Sequence, residues 1–253
     1  MMGLRDGLVG AWCPSLGATA GTLLDRSGRN NHGTLTNMDP ATDWVQSGGR
    51  GALDFDGVND QVSFPAIAPA LGFGMSLWFR AASLTKDRHS LFANSQDNSP
   101  DIYLHLERIS GSTYAMNFYA GAGYVGASQS FTLDTEWHHY VWRSAVVTGP
   151  VAYFRDGVGI GSSSVNYTAT INDAGVASIG SISSLTPGFT AQGQIDDVIR
   201  YSRPLTPPEI QQLYTQGRGG WLRQTRRRTY GFVAAGFRPY WARRQGQIIG
   251  GGT

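Results

Sequence analysis

Carboxylates and imidazoles are the residues with chemistry to offer, and their spacing limits what that chemistry can be. The chain holds three glutamates, Glu107, Glu136 and Glu209, each alone in its segment. Hydrolysis of a glycosidic bond takes two carboxyl groups flanking that bond, and none of the three has such a neighbour. Asp196 and Asp197 are adjacent in a strand-like run, where successive side chains point to opposite faces, so they are not expected to act as a pair. No G-x-S-x-G elbow or H-E-x-x-H motif occurs. The five histidines lack metal-ligand spacing, and His138-His139 read as sheet packing. The expectation is a protein that is not an enzyme.

Binding chemistry has more to work with. Asp25-Arg26-Ser27-Gly28-Arg29-Asn30-Asn31 gathers oxygen donors in a tight turn, and calcium takes roughly six to eight hard oxygens. The plain alternative is a loop in which Asp25 makes an Asx turn and the asparagines adopt left-handed backbone. Asp54, Asp56, Asn59 and Asp60 read as turn chemistry at a strand end. Trp78, Tyr103, Tyr119 and Trp142 would stack on a sugar if they lay exposed beside polar groups; a sandwich core would consume them as readily. The single cysteine, Cys13, excludes an internal disulfide framework and reads as a small buried hydrophobe.

The elements that must position these residues are short strands. In Met75-Ser76-Leu77-Trp78-Phe79-Arg80, Met75, Leu77 and Phe79 share one face and Ser76, Trp78 and Arg80 the other. Segments 137–143, 151–155, 176–182 and 193–201 alternate in the same way, and 101–107 pairs naturally with 114–119 through the turn at Ile109-Ser110-Gly111-Ser112. Asp156-Gly157 is a hairpin signal. About a dozen strands with frequent turns predict a β-sandwich. One helix is expected: Thr206-Pro207-Pro208-Glu209 is a capping box with proline at the first turn, Ile210, Leu213 and Tyr214 follow at helical spacing, and Gly217 stops it. No apolar run reaches the ~18–20 residues of a membrane span.

Seven segments, in order, resemble the laminin G-like family of concanavalin A-like jelly rolls: Gly7–Trp12, Leu24–Gly33, Ala52–Asp60, Met75–Phe79, Trp137–Tyr140, Tyr153–Gly157 and Gly193–Thr206. The resemblance implies an all-β, two-sheet antiparallel jelly-roll sandwich with one short C-terminal helix, its first and last strands adjacent. By position it also implies one structural calcium ion, held by Asp25, the carbonyls of Gly28 and Asn31, and Asp196. Glycosidases on this fold usually carry an E-x-D-x-E-like strand, which this chain lacks. The fold alone leaves function open.

Charge divides the chain. Residues 1–216 carry eleven arginines, one lysine and eighteen acids, a formal −6; residues 217–253 carry eight arginines and no acid, a formal +8. The expected domains are therefore a sandwich over 1–216 and a Gly/Arg/aromatic arm over 217–253. The arm's candidate contact residues are Trp221, Arg223, Arg226, Arg227, Arg228, Tyr230, Phe232, Phe237, Arg238, Tyr240, Trp241, Arg243 and Arg244. Arginine and aromatics suit docking on another protein; they also suit nucleic acid, through phosphate neutralisation and stacking. Docking is the favoured reading. The N-terminus has no basic n-region followed by an apolar stretch, so export by the usual signal route is not expected. A jelly roll followed by a glycine-arginine tail is similar to laminin G-like structural proteins of bacteriophages. That resemblance implies a virion protein, assembled in the host cytoplasm and bound to other virion proteins through its arm, with homo-oligomers compatible. The alternatives are a lectin module for host or environmental glycans and a glycosidase relative without activity.

Overall fold

The computed structural model describes residues 3–65, 67, 72–96, 99–120, 123–145, 149–163, 176–182 and 188–224. The strands in chain order are β1 (Leu8–Trp12), β2 (Thr22–Leu23), β3 (Gly33–Thr36), β4 (Trp44–Ser47), β5 (Arg50–Asp56), β6 (Gln61–Phe64), β7 (Phe73–Ala81) and β8 (Arg88–Gln96). There follow β9 (Ser99–Ser110), β10 (Thr113–Ala120), β11 (Gly123–Ala127), β12 (Phe131–Thr132), β13 (His138–Ser144), β14 (Val151–Arg155), β15 (Val158–Ser162), β16 (Val176–Ile179) and β17 (Gln192–Tyr201). Helices α1 (Pro207–Gln216) and α2 (Gly220–Gln224) end the described chain.

Two antiparallel sheets form the sandwich. The first runs β15-β14-β13-β7-β17-β5-β4, with β1 also paired to β17; the second runs β11-β10-β9-β8-β16-β6-β3-β2, with β12 on β10. The period-two pattern sets which side chains meet between them. Met75, Leu77 and Phe79 of β7 and Ile102, Leu104 and Leu106 of β9 are all buried in one hydrophobic core with Trp12, Phe92, Phe118 and Trp142. First and last strands are neighbours, Trp12 facing Val198 and Ala11 facing Ile199. The β14–β15 hairpin turns on Asp156 (φ 51°) and Gly157 (φ 80°), both in the left-handed region that a tight primed turn requires.

Helix α1 begins as its sequence dictates. Thr206 accepts from the Glu209 backbone N–H while the Glu209 carboxylate accepts from that of Thr206, and Arg203 holds the same carboxylate through two nitrogens, at 2.9 and 2.6 Å. Gly217 stops the helix at φ 66°. The helix lies on the outward face of the first sheet: Ile210 and Leu213 are buried, and Tyr214 stacks on Trp78 at 5.9 Å between ring centroids.

The chain falls into two units, Met1–Trp221 and Leu222–Thr253. The first therefore extends five residues past Gln216. Arg218 donates to the Ser47 carbonyl and lies 3.7 Å over the Trp137 ring, and Trp221, placed in the arm by its sequence, is a buried member of this unit. The side chain of Arg223 and all of Arg226, Arg227, Arg228, Tyr230, Phe232, Phe237, Arg238, Tyr240, Trp241, Arg243 and Arg244 lie outside the described residues.

Candidate functional site

On β9, Ile102, Leu104 and Leu106 point into the core, so Tyr103, His105 and Glu107 point outward. Register places Tyr119 of β10 opposite Tyr103 and Asn117 opposite His105. On the other side it places Ser90 of β8 against His105 and Arg88 against Glu107. The result is an aromatic platform on the outward face of the second sheet. His105 lies 5.4 Å from the Tyr103 ring and 5.3 Å from Tyr119, and Phe189, from the segment before β17, closes one side at 5.8 Å.

Polar groups frame the platform. Arg88 donates to Glu107 Oε1 through Nε and Nη2, at 2.8 and 2.7 Å. Glu107 Oε2 accepts from Asn117 and from the Tyr119 hydroxyl at 3.5 Å. His105 is fully buried beneath the tyrosines; Ser90 Oγ meets its Nδ1 at 3.0 Å. Burial, reinforced by the nearby Arg88 charge, pushes its pKa down to about 3, so the ring is neutral. Its Nε2 is buried without a hydrogen-bond partner.

Two of the four aromatics expected at a glycan site are therefore brought together, and two are not. Trp142 has no solvent exposure; the alternation of β13 turns it inward, where its indole N–H donates to the Asn117 carbonyl at 3.2 Å. Trp78 points outward from the opposite sheet, between Tyr214 of α1 and His139. A sheet strand tells which residues share a face, not which face is the core when both carry aromatics.

The aspartate pair departs most from expectation. Asp197 takes a left-handed backbone (φ 47°) at a register shift between Asp196 and Ile199. This bulge brings both carboxyls to one residue instead of opposite faces. The Ser15 N–H donates to Asp196 at 3.1 Å and its hydroxyl to Asp197 at 3.3 Å. The Gly219 N–H donates to Asp197, and Arg218 lies 3.9 Å from Asp196. Burial first, and for Asp196 the neighbouring carboxyl second, raises both pKa values. Cys13 sits against the same pair, its thiol pushed up by burial and then by the two aspartates. With Asp196 at 0% and Asp197 at 5% exposure, this dyad fastens chain segments and does not meet solvent.

At the Asp25 end of the calcium set the oxygens meet donors of the protein. Asp25 accepts four hydrogen bonds, from the Ala11 and Ser27 N–H groups on Oδ1 and from the Ser27 hydroxyl and Asn31 N–H on Oδ2. The Asn31 carbonyl accepts the Trp12 indole N–H at 2.7 Å. Asp196 Oδ1 accepts from the Ser15 and Asp197 N–H groups, while its buried Oδ2 makes no hydrogen bond and lies 3.9 Å from Arg218. Asp25 thus closes its loop as an Asx turn against β1.

Two clefts elsewhere offer less. One of about 430 Å³ is lined by Asp54, Arg80, Thr135 and Gln194 but by no aromatic ring. The other, about 720 Å³ beside α1, is lined by Leu4, Pro204, Pro208 and the already paired Arg203 and Glu209.

A family model described as the concanavalin A-like lectin/glucanases superfamily matches residues 56–211. A search of the curated proteins finds no match. Among solved structures, domain 4 of AbnA, a GH43 extracellular arabinanase from Geobacillus stearothermophilus in complex with arabinotriose, is similar at a TM-score of 0.63 and 18% identity, over 81% of this chain and 97% of that one. A mutant Trypanosoma rangeli sialidase displaying trans-sialidase activity aligns at a TM-score of 0.60 and 18% identity, over 81% of this chain but 32% of its own. The receptor binding domain of botulinum neurotoxin mosaic serotype C/D aligns at 0.59 and 12%, over 85% and 52%. At these identities the likeness is one of fold, and enzymes and binding domains share that fold.

Proposed function

Because the chain belongs to the concanavalin A-like lectin/glucanases superfamily, we propose that it is a non-catalytic carbohydrate-binding module whose site is the Tyr103–His105–Tyr119 platform. The observation that carries this reading is the pairing of two half-buried tyrosines around a buried neutral imidazole, with the donors and acceptors of Arg88, Glu107 and Asn117 at its rim. Ring faces pack against the C–H faces of a sugar while the rim groups meet its hydroxyls. Retaining and inverting glycosidases set two carboxyl groups roughly 5–9.5 Å apart; among the described rim residues Glu107 is the single carboxylate. On a glycan array and by calorimetry, Tyr103→Ala and Tyr119→Ala each lower affinity about ten-fold or more. Chelator leaves binding unchanged. Retained affinity in both variants removes the platform from the reading.

The composition of residues 217–253, eight arginines with glycine and aromatics and no acid, favours a second role for the same chain. We infer that this arm docks the module on other virion proteins of a bacteriophage, displaying the sandwich outward, after assembly in the host cytoplasm. Arginine's forked donors and the aromatic rings suit an acidic protein surface. Truncation after Gln224 should leave a folded, sugar-binding body that no longer joins the particle. Normal incorporation of the truncated chain would end the docking idea.

A further inference from the structure

Among the described residues the charges at the platform cancel locally. Arg88 spends two nitrogens on Glu107 Oε1 and lays its guanidinium over the Phe189 ring at 4.7 Å. Glu107 is held in turn by Asn117 and Tyr119. Both charged side chains remain reachable, at 34% and 24% exposure. The next cation along the strand, Arg108, is likewise occupied by Asp87. The remaining basic ring, His105, is buried and uncharged.

From this geometry we infer that the platform selects neutral sugars over sugars that carry a carboxylate, and that Glu107 is the residue that sets this choice. The inference rests on the carbohydrate reading above and adds the ligand class. A neutral sugar hydroxyl can donate to a Glu107 oxygen and accept from an Arg88 N–H not used by the ion pair. A sugar carboxylate has no such option. It must either lie against the Glu107 charge or displace Glu107 from Arg88, leaving a partly buried carboxylate without its cation. The ion pair thus acts against acidic ligands as well as for neutral ones, which is how a site discriminates when its attractive contacts are generic.

The test is a calorimetric titration of the full chain with matched oligosaccharides. Lactose, galactobiose and arabinotriose are the neutral probes; 3′-sialyllactose and digalacturonic acid are the acidic ones. The quantity read is the ratio of acidic to neutral affinity. For the unaltered protein the neutral member of each matched pair binds tighter. Glu107→Gln keeps the side-chain shape, frees Arg88 and raises the ratio about ten-fold, the worth of one charge-assisted hydrogen bond. Arg88→Gln shifts the ratio the opposite way, so the prediction survives if either variant fails to fold; thermal denaturation reports folding. An unaltered protein that prefers acidic probes, or variants that leave the ratio fixed, overturns the inference while carbohydrate binding stands. If Tyr103→Ala and Tyr119→Ala keep full affinity for the neutral probes, the site lies elsewhere and the inference falls. Failure of every probe to bind overturns both readings.

Discussion

His138 shows how much one side chain does here. It bridges Asp156 through Nδ1 at 2.7 Å and Asp134 through Nε2 at 2.9 Å, tying the turn before β13 to the β14–β15 hairpin. Burial opposes its charge, but hydrogen bonds to Asp156 and Asp134 outweigh burial and leave the imidazole pKa above its ordinary 6.5. Both aspartates, despite their own burial, are held below 3.8. A raised histidine contributes stability that is complete below pH 6.5 and fades as pH rises through its folded value; the aspartates' share fades as pH falls through theirs. The clamp is therefore strongest between about pH 4 and 6.5. His138→Gln should cost about 1 kcal/mol at pH 5 and less at pH 8, read from denaturant midpoints. At this scale the sequence announced residue types better than roles. Tyr103 and Tyr119 come together on one outward face, whereas nothing local told Trp142 apart from them, and His138's two partners come from turns 4 and 18 residues away.

Elements were more legible where the signal is local. The Thr206–Glu209 box, the Gly217 stop and the Asp156-Gly157 turn each name their own geometry, because capping and positive φ are decided within four residues. Thr206→Ala should cost about 1 kcal/mol and lower the thermal midpoint, with Tyr214 loosening from Trp78; a change in Trp fluorescence alongside the melt would report both. The bulge in β17 is the opposite case. Asp197 adopts its left-handed backbone because Ser15, Arg218 and Gly219, each distant in sequence, receive the two carboxyls. Alternation alone predicts opposite faces and is overruled by tertiary contacts. The two-residue strands β2 and β12 were equally invisible, too short to show any period.

For the whole molecule, the sandwich and the acidic-body, basic-arm division were readable from pattern and charge, but the edge of the body was not. Charge changes sign at Arg218, and that arginine belongs structurally to the body, where it faces Asp196 and covers Trp137. Truncation after Gln216 removes Arg218, Gly219 and Trp221 together, leaving a buried dyad without its cation. A loss of about 3–5 kcal/mol is expected from this cut, more than from truncation after Gln224, which keeps the cation. Chemical denaturation of the two shortened chains measures the difference.

The pairing of β1 with β17 also sets the order in which the protein can be completed. Leu8–Trp12 leaves the ribosome before the other strands of the sandwich, yet its ladder partner is the last of them. At 5–20 residues per second, roughly ten to forty seconds of synthesis separate them. Throughout that time the first strand has the Asp25 loop against it but lacks its ladder partner, and Trp12 has no finished core to enter. Closure is thus a late, single event that joins the two ends of the body, and it makes the nascent chain, more than the native one, the form most exposed to misassociation.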